Sequence, residues 1–120
     1  AIYTVTGLVM VKVLAVCTTL LDGATATIEV GITGDTAIFL PLETATQIDA
    51  DQIWINDAAN ATYAIVGEEA AAIDNLPEYL LNGNDIILTV KTSNVTSGVL
   101  DFYALWKPIS DDGAIVATTT

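Results

Sequence analysis

Ala24-Thr-Ala-Thr-Ile-Glu-Val-Gly-Ile-Thr33 decides the fold class. Along it Ala24, Ala26, Ile28, Val30 and Ile32 alternate with Thr25, Thr27, Glu29, Gly31 and Thr33. A hydrophobic period of two marks a strand buried on one face, because successive side chains of extended backbone point to opposite sides. The same period returns twice. Ile86, Leu88 and Val90 oppose Asp85, Ile87, Thr89 and Lys91, after the turn signal Asn82-Gly83-Asn84. Leu100, Phe102, Ala104 and Trp106 oppose Val99, Asp101, Tyr103, Leu105 and Lys107.

Upstream, Val9, Val11, Val13, Ala15 and Cys17 alternate with Leu8, Met10, Lys12, Leu14 and Val16. Both faces are largely apolar, which predicts a central strand or one whose second face meets another subunit. Leu21-Asp22-Gly23 reads as a hairpin turn into the next strand, since Asp-Gly tolerates positive φ. Further strands are expected at Ile2 to Thr6, Thr36 to Leu42, Gln52 to Ile55 and Thr62 to Val66, separated by turn signals at Gly34-Asp35, Asn56-Asp57, Gly67 and Ser97-Gly98. Helix is confined to one turn at Thr44 to Asp49 and an alanine run at Glu68 to Asn75.

Seventeen threonines, abundant valine and isoleucine and only three prolines agree with this pattern. The expected fold is all-β: an antiparallel β-sandwich or jelly roll of about seven to nine strands, with at most one or two short helical turns. One domain is expected over residues 1–108. Periodicity is lost after Pro108, so residues 109–120 are expected to form a C-terminal arm or tail.

Charge narrows the function. The 120 residues include 15 acids, three lysines (Lys12, Lys91, Lys107), no arginine and no histidine, for a net charge of -12. Such a surface opposes nucleic acid. Disorder does not fit either, because 52% of the chain is hydrophobic. Without histidine there is no Ser-His or Cys-His pair and no imidazole metal ligand. Cys17 cannot close an intramolecular disulfide and reads as a small buried hydrophobe. The run Gly7 to Leu21 superficially resembles a signal-peptide core. Lys12 interrupts it, and it falls short of the ~18 apolar residues of a membrane span, so a buried strand is expected and no membrane association.

Other chemistry is weakly marked. Asp49-Ala-Asp51, Glu68-Glu69 and Asp111-Asp112 are acidic enough for calcium, but Ile53 stands where a calcium loop needs an oxygen ligand. No metal site and no cofactor are expected. Paired carboxylates with Trp54, Tyr63, Tyr79, Tyr103 and Trp106 could line a sugar groove, with Trp54 pointing outward as a stacking platform. Ser93, Ser97 and Ser110 lack a nucleophile elbow, and Gly31-Ile-Thr-Gly34 lacks the Lys-Ser/Thr end of a phosphate loop. Asn60-Ala-Thr62 and Asn94-Val-Thr96 match the glycosylation sequon, which matters only in a glycosylating cell. The expectation is that the protein is not an enzyme. Its strands, rich in apolar residues and carrying all three lysines, point to assembly: Lys12, Lys91, Lys107 and Trp54 are the candidate subunit or partner contacts.

Two stretches add a resemblance. Asp85-Ile-Ile-Leu-Thr-Val90 followed by Asn94-Val-Thr-Ser-Gly-Val-Leu-Asp-Phe-Tyr-Ala-Leu-Trp-Lys-Pro108, together with Tyr3-Thr-Val-Thr-Gly7 and Thr27-Ile-Glu-Val-Gly31, resemble small β-rich virion structural proteins of tailed bacteriophages. The likeness spans nearly the whole chain and consists of strand and turn patterns without a catalytic signature. It implies a head decoration or cement protein on the outer face of the capsid, assembled in the bacterial cytoplasm. The implied partners are the major capsid protein and further copies of the chain, with a trimer favoured. Two alternatives remain: a carbohydrate-binding or host-adhesion module on a head fibre or tail, and a secreted acidic surface-layer protein.

Overall fold

The computed structural model describes residues 1–23, 25–48, 50, 52–55, 65–66 and 76–118. In chain order these form β1 (Tyr3–Thr6), β2 (Leu8–Asp22), β3 (Thr27–Ile32), β4 (Asp35–Thr44), a 3₁₀ turn at Ala45–Gln47, β5 (Ile53–Trp54), β6 (Ile65–Val66), β7 (Tyr79–Asn82), β8 (Ile87–Lys91), β9 (Ser97–Pro108) and β10 (Ala114–Ala117). All pairings among them are antiparallel. The all-β expectation is met.

β2 organises the larger sheet. No proline or glycine interrupts residues 8–22, so the strand runs unbroken for 15 residues. β9 pairs along one of its edges, and β7 and β5 share the other in succession, with β6 outside β5. Its inward side chains Val9, Val11, Val13, Ala15 and Cys17 are buried, while Leu8, Met10, Lys12, Leu14 and Val16 on the other face are half-buried. With partners on both edges, β2 holds the central position, one of the two readings its apolar faces allowed.

The second sheet has the order β4-β3-β8. Ile28 and Val30 of β3 and Phe39 and Leu40 of β4 join the inner residues of β2 in one core with Trp54, Leu81 and Ile86. The arrangement is sandwich-like, two antiparallel sheets sharing an apolar interior. β1 and β10 form a small third sheet whose Tyr3 and Val5 reach the same core.

Several local expectations are corrected. Asp22-Gly23 does turn the chain, with φ of +131° at Gly23, but β2 and β3 then enter different sheets. The turn is a crossover between layers, since β2 already has partners on both edges. The segment after Pro108 does not leave as an arm. It turns through Ser110 to Gly113, where the Gly113 N–H donates to the Ser110 carbonyl at 3.0 Å. It then returns as β10 to pair with β1, in the register Tyr3 to Ala117 through Thr6 to Ala114. Ten strands are found among the described residues, where seven to nine were expected. The helical turn at Thr44 to Asp49 appears as the 3₁₀ turn. The expected helix at Glu68 to Asn75, the turn signals at Asn56-Asp57 and Gly67 and most of the strand expected from Thr62 lie outside the described residues.

Candidate contact surface

The four candidate contact residues have different fates, decided by the pairing register. Lys12 lies opposite Leu105, and Lys107 opposite Met10. Both lysines therefore project from the outer face of the large sheet, opposite the core. Leu14 beside Tyr103, Val16 between Asp101 and Ile53, and Leu80 beside Met10 complete this face. Leu80 is 59% exposed, Tyr103 50% and Leu105 44%. A depression of about 330 Å³ lined by Lys12, Glu78, Leu105, Trp106 and Lys107 lies here. Among the described residues neither Lys12 nor Lys107 has a carboxylate within ion-pair distance.

Lys91 is different, and the expectation that it awaits an acidic partner on another molecule is corrected. Its Nζ lies 2.6 Å from Oε1 of Glu29 in its own chain. Glu29 is buried on β3, and its Oε2 accepts a hydrogen bond from the Thr36 hydroxyl at 3.0 Å. The hydrogen bond from Lys91 leads, burial opposes it, and Thr36 and the lysine charge add to it, so the carboxyl sits below the usual carboxylate range. A buried acid needs a partner. Lys91 supplies one within the fold.

Trp54 is also corrected. Its register with Ala15 turns it inward, where it is fully buried and edge-on to Phe102 with centroids 6.5 Å apart. The small side chain of Ala15 leaves room for the indole. Among the described residues its Nε1 has no hydrogen-bond partner. No stacking platform for a sugar remains at this position. Ile53, Trp54 and Ile55 are all apolar, so alternation could not choose a face for Trp54; only the pairing with β2 does.

The acidic clusters divide in the same way. Asp49, Asp51, Glu68 and Glu69, together with Tyr63 and the sequon at Asn60, lie outside the described residues. Asp112 accepts a hydrogen bond from Ser110 Oγ at 2.6 Å, and Ser110 Oγ accepts one from the Leu8 N–H at 2.9 Å. This acid therefore ties the turn after β9 to the start of β2. Among the described residues no group of three or more candidate ligands converges for a metal. No described helix is long and apolar enough to cross a membrane. Cys17 is buried, with its thiol donating to the Thr19 carbonyl at 3.1 Å.

Sequence reasoning missed a second apolar feature. A cleft of about 220 Å³, lined by Leu21, Ile28, Leu88, Val90, Val95, Leu100 and Phe102, opens between the two sheets where β8 and β9 form their edges. The alternation of β8 and β9 showed which side chains face inward. That two such faces meet at an unsealed seam follows only from the topology.

Comparison with family models, with curated proteins and with solved structures finds no match to this chain.

Proposed function

We propose that this protein acts by contact, as a virion structural protein that decorates the outer face of a phage head and stabilises the shell. The observation that carries the reading is the outer face of the large sheet. It exposes Leu80, Tyr103 and Leu105 around two lysines without acidic partners among the described residues, in a chain of net charge -12. Apolar surface of this kind, grouped on one rigid sheet face, is a binding feature. A partner that fits it is apolar at the centre and acidic where the lysines land. The acidic remainder of the surface keeps away from packaged nucleic acid and repels misplaced copies. The strand patterns that resemble phage virion proteins supply the class of partner, the major capsid protein. Repetition over a symmetric shell multiplies a modest contact.

Cryo-electron microscopy and thermal melting of capsids lacking this protein, with and without added protein, test the proposal. Wild-type protein is expected to occupy the outer surface and raise the shell's melting temperature, while Leu80→Glu and Lys12→Glu lose both effects. Unchanged shell stability, or density found only on the tail, overturns it. The carbohydrate-binding alternative loses the platform assigned to Trp54, and a glycan array without specific binding would remove it.

A further inference from the structure

The free edge of β9 is self-complementary, and we propose that two copies of this chain pair there, antiparallel about a two-fold axis through Ala104. β9 has β2 on one side and, among the described residues, no strand on the other. The hydrogen-bonding parity of that free edge follows from one contact. The Ile109 N–H donates to the Leu8 carbonyl at 2.8 Å, next to the registered pair Val9 and Pro108. Antiparallel ladders alternate bonded and non-bonded pairs, so Lys107, Leu105, Tyr103 and Asp101 spend their backbone groups on β2. Those of Leu100, Phe102, Ala104 and Trp106 point to the open edge. Pro108 falls on that same side, where its missing N–H ends the run.

The residues along this edge read Asp101-Phe102-Tyr103-Ala104-Leu105-Trp106-Lys107, and they mirror about Ala104 in character. When a second copy pairs about that centre, Asp101 faces the partner's Lys107, Phe102 faces the partner's Trp106, and Tyr103 faces the partner's Leu105. Each relation occurs twice, as a two-fold contact requires. The charged and Tyr–Leu pairs fall at non-bonded positions, where cross-strand side chains approach most closely. Shifting the centre to a neighbouring residue removes the match of Asp101 with Lys107, so charge selects the register.

Exposure agrees with this occupant: Tyr103, Leu105 and Trp106 are 50%, 44% and 39% exposed on an edge that would otherwise invite uncontrolled pairing. Phe102 also lines the cleft between the sheets, so the partner's Trp106 beside it would cover part of that apolar seam. The contact is two-fold and by itself makes a dimer, in place of the trimer that the phage resemblance implies. It leaves Lys12, Leu14 and Leu80 of both copies on one continuous outer sheet face. The inference stands on β9 alone, and its test uses no capsid, so its failure is separate from failure of the decoration role.

Sedimentation equilibrium on the full chain, with Asp101→Lys and Lys107→Asp made singly and then mixed, tests the pairing. Both positions face Val16 and Met10 within the chain, so neither swap breaks an ion pair among the described residues. Circular dichroism verifies that each variant folds. The wild type is expected to dimerise. Each single swap places like charges opposite each other twice and should weaken self-association at least about tenfold. The equimolar mixture restores opposite charges at both positions and should form heterodimers with nearly wild-type affinity. In amide hydrogen exchange, Phe102, Ala104 and Trp106 should gain protection with rising wild-type concentration. A wild type that stays monomeric at millimolar concentration, a dimer that survives both single swaps, a mixture that does not pair, or a trimer overturns the proposal.

Discussion

Replacing Lys91 with Met removes the partner of a buried carboxylate while keeping most of the aliphatic bulk. Among the described residues Glu29 is then left with the hydrogen bond from Thr36 (3.0 Å) in place of that bond and the 2.6 Å contact to Lys91. A buried charged acceptor that loses a partner costs about 1–3 kcal/mol. The lysine side chain is 51% exposed, so water replaces part of the lost interaction and the lower half of that range, about 1–2 kcal/mol, is expected. For a domain of this size that is a fall in Tm of roughly 4–8 °C. The pH dependence gives the sharper signature. In the unfolded chain glutamate titrates near pH ~4.3, whereas in the folded protein Lys91 and Thr36 hold Glu29 lower. The stabilisation is therefore complete above the unfolded value and is lost as pH falls through the folded one. In Lys91→Met burial dominates, so protonation of Glu29 relieves the variant on acidification. Urea denaturation at pH 7 and pH 3 should show the deficit at pH 7 and a much smaller one at pH 3. Glu29→Gln combined with Lys91→Met should recover most of the loss at pH 7. An equal deficit at both pH values, or a Lys91→Met protein as stable as wild type at pH 7, would refute the reasoning.

Three other outcomes follow from single positions. A Cβ at Gly31 would overlap the backbone of Asp35 and Thr36, so Gly31→Ala should cost about 1–3 kcal/mol in urea denaturation; a neutral substitution would show that β4 does not pass so close. Trp54 is fully buried and Trp106 39% exposed, so iodide should quench only part of the fluorescence, and the quenchable part should vanish in Trp106→Phe; its loss in Trp54→Phe instead would reverse the assignment. Cys17 is buried, so thiol reagents should label it only as fast as the chain opens, and rapid labelling of the native protein would contradict the packing around it.

Much of the fold was readable because its strands alternate. β3, β8 and β9 show period two, and β2, apolar on both faces, was read as a central strand or one meeting another subunit, of which the pairing on both edges bears out the central position. β7 escaped notice because three of its four residues are exposed, although Leu81 is buried in the core and Tyr79 meets the buried Phe39 edge-on. β10 is four residues long and finds its place only by pairing with β1, the width of the chain away in sequence. The candidate contacts divide along the same line. Lysines on strands could be identified, but whether each faces solvent, a carboxylate or another molecule depends on its neighbours across the sheet.

Composition and alternation alone determine that the chain is an acidic all-β protein with an apolar interior, because those properties are sums over residues and their local period. Pairing is different, because it joins residues distant in sequence. The tertiary structure alone decided that Lys91 serves Glu29, that Trp54 fills the space above Ala15, and that Lys12 and Lys107 share the outer face of the large sheet. It also decided that β9 ends the sheet, with one edge unpaired among the described residues. A strand's sequence fixes which side chains lie on the same face, and only the register with its partners fixes what each face meets.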